Sequence, residues 1–395
     1  MKKTLLVVIG SMIILNANSQ DFSKQIENNN QFGFDLYNYL NTTEENLFIS
    51  PFSVSTALAM TYEGAAGKSK DQMSEYLRFS ADKKENLKNF SEIISRVQNT
   101  KDEKKYLLTI ANSLWAQNDF KFIQAYFDAI KEYYNAPIEK VDFKDADNRE
   151  KARLAINDWT AKKTNDKIKD LLDKDALDFE TKLVLVNAVY FISEWKKTFN
   201  PKATQKDTFF AVGNPCEKEF MHQKSRMRYS EKDRIKILEI PYNDDKASMI
   251  VFLPENNEVF LKLQKEINAE FVKKHTEALE FANVNLALPK FKIDFKADLS
   301  ETLYNAGMKL PFTNDADFSD MVSGEQVRID KIIHQTFINV DESGTEAAAA
   351  TAVVMSRVTS VNPDELVEFK ANRPFIFLIR ENTTGSIVFI GHLLK

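Results

Sequence analysis

Four histidines, one cysteine and a scatter of hydroxyls are the side chains of this 395-residue chain best suited to covalent or metal chemistry. Ser53, His334 and one aspartate would make a hydrolase triad, the imidazole taking the hydroxyl proton. The G-x-S-x-G turn that presents such a serine is absent. His222, His275, His334 and His392 are far apart in sequence. H-E-x-x-H, C-x-x-C, a P-loop and G-x-G-x-x-G are all missing, so no metal and no cofactor is expected. Asp315 and Asp317 could bind a cation, but a turn is the commoner use of such residues. Cys216, the only cysteine, can form no internal disulfide and reads as a small thiol, buried or half-buried.

The more informative chemistry is conformational. Asp341-Glu342-Ser343-Gly344-Thr345-Glu346-Ala347-Ala348-Ala349-Ala350-Thr351-Ala352-Val353-Val354 follows Thr336-Phe337-Ile338-Asn339-Val340, which alternates as a strand does. If the segment is extended, residues 345, 347, 349, 351 and 353 share one face, and all are small or β-branched. Four consecutive alanines favour helix instead. The segment is therefore uncommitted but able to become a strand, and Gly344 offers a hinge at its start.

The surrounding elements follow from period and punctuation. Phe22 to Leu40 has helical spacing. Ser50 before Pro51 is a helix start, and the helix through Met60 is apolar except for Ser and Thr, which need partners if buried. Leu107 to Trp115 reads as a strand and Phe122 to Tyr134 as a helix. Thr181 to Phe191 is almost continuously apolar, as a strand covered on both faces should be. Asn187 in its middle is a buried polar group that requires hydrogen bonds. Ile235 to Tyr242 and Ala247 to Pro254 read as a hairpin through 243–245. Val284 to Ile293 contains Leu288-Pro289-Lys290-Phe291, and Phe369 to Phe377 and Ser386 to Gly391 read as two more buried strands. Helices come mostly early and strands mostly late, which gives an α+β domain.

These stretches resemble the serpin family in order and over residues 22 to 395. The hinge Glu342, Gly344, Thr345, Glu346, Ala347, Ala348, Ala349 and Ala350 looks like that of an inhibitory serpin. Asn372-Arg373-Pro374-Phe375 is similarly characteristic, and the chain looks like a bacterial-type exported member. The resemblance implies about nine helices around three β-sheets, with an exposed, insertable reactive-centre loop at about 342–366. It places Ser50, Ser53, Asn187 and His334 in a buried "shutter" cluster, and Trp195 at the "breach" where an inserting loop enters. The implied function is not enzymatic. It is irreversible suicide-substrate inhibition of serine proteases, or of cysteine proteases, with a non-inhibitory binding or chaperone protein as the alternative. In the family the scissile bond lies fourteen residues after the hinge glycine. That puts it between Val358 and Thr359, with Arg357 and Met355 as alternatives. Valine suits an elastase-like pocket and arginine a trypsin-like one.

Composition fits a single domain. Ten Gly and ten Pro are scattered, with no linker or repeat, and 43% hydrophobic residues supply a large core. Residues 1–19 read as a signal peptide: Lys2-Lys3, the apolar Leu5 to Leu15, then Ala17-Asn18-Ser19. The apolar stretch is too short to span a membrane. The domain is then 20–395, exported to the periplasm or beyond and expected to be monomeric. A formal charge of −5 argues against nucleic acid as a partner.

Overall fold

The computed structural model describes residues 14–41, 45–98, 106–345 and 366–395. Among them are nine α-helices: α1 (Ile14–Leu40), α2 (Pro51–Gly64), α3 (Gly67–Leu77), α4 (Lys83–Gln98), α5 (Gln124–Tyr134), α6 (Ala146–Lys163), α7 (Asn257–Glu266), α8 (Ala269–Glu277) and α9 (Leu299–Asn305). The strands are β1 (Leu47–Ile49), β2 (Tyr106–Gln117), β3 (Ile138–Val141), β4 (Leu183–Glu194), β5 (Gln205–Phe209), β6 (Cys216–Lys232), β7 (Ile235–Pro241), β8 (Ala247–Pro254), β9 (Glu280–Pro289), β10 (Phe291–Asp298), β11 (Lys331–Val340), β12 (Gly344–Thr345), β13 (Val367–Lys370), β14 (Phe375–Glu381) and β15 (Ile387–Leu393). Of the expected leader, residues 1–13 lie outside the described residues, and 14–19 open α1.

One sheet has six strands in the order β10-β11-β12-β4-β2-β3, with β11 and β4 also paired directly. The other runs β1-β15-β14-β8-β7-β6-β9-β13, with β5 on β6. The two smaller sheets that the resemblance implies are joined here through β6. That strand pairs with β5 at Cys216–Phe220, β9 at Phe220–Tyr229 and β7 at Arg228–Lys232.

The apolar run of β4 is explained by cover on both faces. Val184, Val186 and Ala188 pack with Ile156 of α6 and with Ile168, Leu171 and Leu172 of the turn after it. Leu183 and Leu185 join the core that contains α2. All fourteen residues of α2 are buried. Its Ser50 cap accepts from the Ser53 N–H at 3.4 Å, and Thr56 and Thr61 bond back to the helix, to the Phe52 and Leu58 carbonyls at 2.8 Å.

One expected strand is two: Phe369 to Phe377 breaks after Lys370, with β13 pairing with β9 and β14 with β8 and β15. The run from Val284 to Ile293 breaks at Lys290, with β9 in the large sheet and β10 in the small one. Proline 289 has no N–H to continue a ladder, and the Lys290 N–H turns to the Glu219 carbonyl at 2.8 Å. Asp315 and Asp317 serve a turn: the Asp317 carboxylate accepts from the Ser319 N–H at 3.1 Å. No group of metal-ligating side chains occurs among the described residues. No helix among them is long and apolar enough to cross a membrane.

Candidate functional site

The site is the seam between β11 and β4, with a gate at its upper end. Below the gate the two strands pair in parallel, from Lys331 opposite Val184 to Phe337 opposite Tyr190. Asn112 of β2, Asn187 of β4 and His334 of β11 fall in one row across three strands. All three face the N-terminus of α2, and Asn187, His334, Ser50 and Ser53 are fully buried.

This row fixes the protonation of His334. Its Nε2 accepts from the Ser50 N–H at 3.2 Å, so the ring proton sits on Nδ1 and is donated to Asn187 Oδ1. Burial pushes the imidazole down to about 3 against that bond, so the ring is neutral at pH 7. The Asn187 amide donates to Ser53 Oγ and Asn112 Oδ1. Ser53 Oγ donates to Asn112 Oδ1 at 3.4 Å, and Ser50 Oγ to the Val388 carbonyl at 2.8 Å. Ser53 and His334 do not form a hydrolase pair: Ser53 bonds to amides rather than to His334, and it is fully buried. The chemistry available is a polar latch across three strands.

The sequence anticipated Ser50, Ser53, Asn187 and His334 but missed Asn112. The signal was present: an asparagine inside an apolar strand, the same signal that Asn187 gave.

At the gate the strands diverge and β12 fills the gap. Thr345 pairs antiparallel with Val340 on one side and with Ser193 on the other, and Gly344 pairs with Glu194. The first residue of the expected inserting face is therefore already in the sheet. Thr345 is fully buried. Its Oγ1 lies 2.7 Å from the Tyr242 hydroxyl, and burial raises that phenol, which stays neutral. Gly344 does more than allow a hinge. A Cβ there would lie 2.1 Å from the Ser193 carbonyl oxygen and 2.7 Å from Glu194 Cα, at a φ of +157°.

Trp195 sits at this entrance as expected. Its ring stacks on Tyr242 with centroids 4.5 Å apart and planes 6° from parallel. Its indole N–H donates to the Asp341 carbonyl at 2.9 Å, and its backbone N–H to the Ser343 carbonyl at 2.9 Å. Asp341 Oδ1 accepts from the Ser343 N–H at 2.8 Å and shapes the turn before the hinge. Glu342 is clamped by the Thr204 hydroxyl at 2.7 Å and Lys290 Nζ at 3.2 Å. Partial burial opposes its charge, but the Thr204 and Lys290 contacts hold the carboxyl below its usual range. Lys290 also reaches Glu219 at 3.5 Å, so the residue that breaks β9 from β10 anchors the hinge. Hinge residues 346–350 and the reactive positions Met355, Arg357, Val358 and Thr359 lie outside the described residues.

Known proteins share this architecture. The family model described as serpin (serine protease inhibitor) matches residues 27–395. A leukocyte elastase inhibitor of Xenopus laevis is 38% identical, over 91% of this chain and 96% of the relative. Human serpin B4 is 36% identical, over 92% of this chain and 97% of the relative. Among solved structures, the thermophilic serpin tengpin in its native state superposes with a TM-score of 0.85 at 33% identity, over 94% of each chain. Human thyroxine-binding globulin complexed with its hormone gives 0.86 at 26% identity, over 95% of this chain and 99% of that one. With its hinge seated between β11 and β4 and its polar latch below, the chain belongs to the serpin family.

Proposed function

We propose that the protein is an irreversible suicide-substrate inhibitor of serine proteases, elastase-like enzymes first and trypsin-like enzymes second. The observation that carries this reading is Thr345, seated between β11 and β4 directly above a seam that those strands close by themselves. A strand entering from Thr345 downward would run antiparallel to both neighbours.

The protease serine attacks the carbonyl of residue 358. The new ester joins it to the loop, and the Thr359 amine leaves with a proton. Water would normally release the acyl group. Here the cut frees about 14 residues to insert, at ~3.3 Å each, roughly 45 Å of strand. The parallel bonds of the seam are lost, and two antiparallel ladders replace them. A net dozen bonds at about 1 kcal/mol each is on the order of 10 kcal/mol before burial is added. That equals an ordinary domain's whole stability, enough to carry the enzyme along and distort its active site. The elastase-like choice draws support from Val358 and from the relative named as a leukocyte elastase inhibitor. Cysteine proteases are the alternative target class.

Export through residues 1–19, to the periplasm or beyond, and a monomeric state complete the reading. A non-inhibitory binding role is the second reading, favoured by the likeness to thyroxine-binding globulin in complex with a hormone. Incubation with a protease panel decides between them. The inhibitor gives complexes stable on denaturing gels, and its loop-cut form melts far above the intact form. A cut form that melts with the intact one, and no complex with any enzyme, would leave the binding reading.

A further inference from the structure

The described chain stops at Thr345, near Trp195, and resumes at Leu366, and the sheet face between those points carries a strip of cations without carboxylate partners among the described residues. β13 enters parallel to β9 with Val367 opposite Val284, so the chain arrives from the end of the sheet that holds Phe281 and Asn283. Phe281 is 65% exposed and Leu366 44%. Arg226, opposite Asn283, lies with its guanidinium carbon 5.3 Å from the centre of the Phe281 ring. Lys224 is one pleat further along, opposite Asn285. Lys197 Nζ donates to the Lys224 carbonyl at 2.7 Å. Lys197, Lys224 and Arg226 are all exposed and form a line from the gate to Phe281.

Neighbouring cations are matched within the chain: Lys196 by Asp245, Arg228 by Glu239, Lys290 by Glu342 and Lys370 by Asp207. Lys197, Lys224 and Arg226 have no carboxylate partner among the described residues. The carboxylate nearest in register, Glu368, accepts from the Asn285 amide at 2.8 and 3.0 Å. Glu280 stands at the strand's end, opposite Tyr229. The strip is positive on a chain whose formal charge is −5.

We propose that Lys197, Lys224 and Arg226, with Phe281 and Leu366, form a second docking surface for a protease whose active-site rim is acidic. The proposal rests on the inhibitor reading. About eight residues separate the scissile bond from Val367, a span of at most ~27 Å. A protease domain of ~240 residues has a radius of gyration near 18 Å. An enzyme that holds Val358 is therefore within reach of this face. Unpaired cations there raise the encounter rate with an acidic rim and orient the approach. Arginine beside an exposed aromatic ring is the composition of interface anchors.

The test measures association rate constants with a panel of elastase-like and trypsin-like proteases at low and high salt. It compares the wild type, the double variant Lys224→Glu/Arg226→Glu, the charge-neutral Arg226→Gln and Phe281→Ala. For the enzyme inhibited fastest, the double variant should lose about tenfold or more in rate at low salt. It should also lose the decline of rate with added salt that the wild type shows. Arg226→Gln and Phe281→Ala should fall in between. Stoichiometry of inhibition and gel-stable complex should stay at wild-type values, because the hinge is untouched. Rates within twofold of wild type for every inhibited enzyme would overturn the docking surface and leave the inhibitor reading standing. The same holds if the variants lose only binding to a polyanion such as heparin. Absence of any complex with the wild type would overturn both.

Discussion

The Tyr242 hydroxyl and Thr345 Oγ1 lie 2.7 Å apart, both buried, and this bond ties the hinge strand β12 to the residue that follows β7. Trp195 stacks on the same ring, so the gate is held by an aromatic pair and a hydroxyl pair together. Tyr242→Phe keeps the stack and removes the bond. The Thr345 hydroxyl is then buried without that partner, at a cost of about 1–3 kcal/mol. The intact protein should melt several degrees lower in scanning calorimetry at one fixed rate. An unchanged melting temperature would show that the bond does not hold the hinge.

Thr345→Arg tests entry itself. Thr345 is enclosed by Val340, Ser193 and Tyr242, and a guanidinium there would be buried without a carboxylate. Cleavage of the loop should continue, while gel-stable complex disappears and the stoichiometry of inhibition rises steeply. Stoichiometric trapping by this variant would mean that insertion does not begin at residue 345.

Much of this was legible in the sequence because burial writes a pattern. The apolar run of β4 announces a two-sided strand, and Asn187 inside it a buried group in need of partners; that those partners form a latch was implied by the resemblance alone. The Ser50-Pro51 start fixes the helix that completes the latch. Other features were hidden for physical reasons. A two-residue strand such as Gly344–Thr345 has no periodicity to read, so the seated hinge could not be foreseen. The break at Lys290 has a local cause in Pro289, but where its flanks go depends on which sheet each pairs with. Gly344 was expected for its freedom at a hinge. The reason found is its approach to the Ser193 carbonyl, which is a tertiary fact.

Two buried groups give opposing pH dependences. Burial lowers His334 to about 3 from 6.5. The folded state resists a proton that the unfolded chain accepts, so stability falls as pH drops from 6.5 toward 3, by about 5 kcal/mol in all. Burial raises Glu63 to about 7 from 4.5, against hydrogen bonds from Asn86 at 2.9 Å and Tyr134 at 3.3 Å and the nearby Lys83 charge. The folded state favours the protonated acid, so stability falls as pH rises from 4.5 to 7, by about 3 kcal/mol. Melting temperatures measured from pH 3.5 to 8 should separate the two. Glu63→Gln should lose the decline toward neutral pH and keep the acid limb, and His334→Gln should do the reverse. The slope with pH is the readout, so a lower melting temperature at every pH does not confuse the result. Identical slopes in wild type and variant would exclude the residue concerned.

The last expectation concerns where the loop is cut. Counting fourteen residues from Gly344 puts Val358 before the bond and Thr359 after it, with Arg357 adjacent. A cut one residue earlier shortens the inserted strand by only ~3.3 Å, so both registers can trap. Val358→Asp puts a carboxylate into the apolar pocket of an elastase-like enzyme and leaves Arg357 for a trypsin-like one. Complex with elastase-like enzymes should vanish, and complex with trypsin-like enzymes should remain. Arg357→Ala should give the opposite result. The mass of the peptide released from each complex reports the register directly. Masses that place the cut outside 355–360 in both complexes would reject the assignment, even with inhibition itself intact.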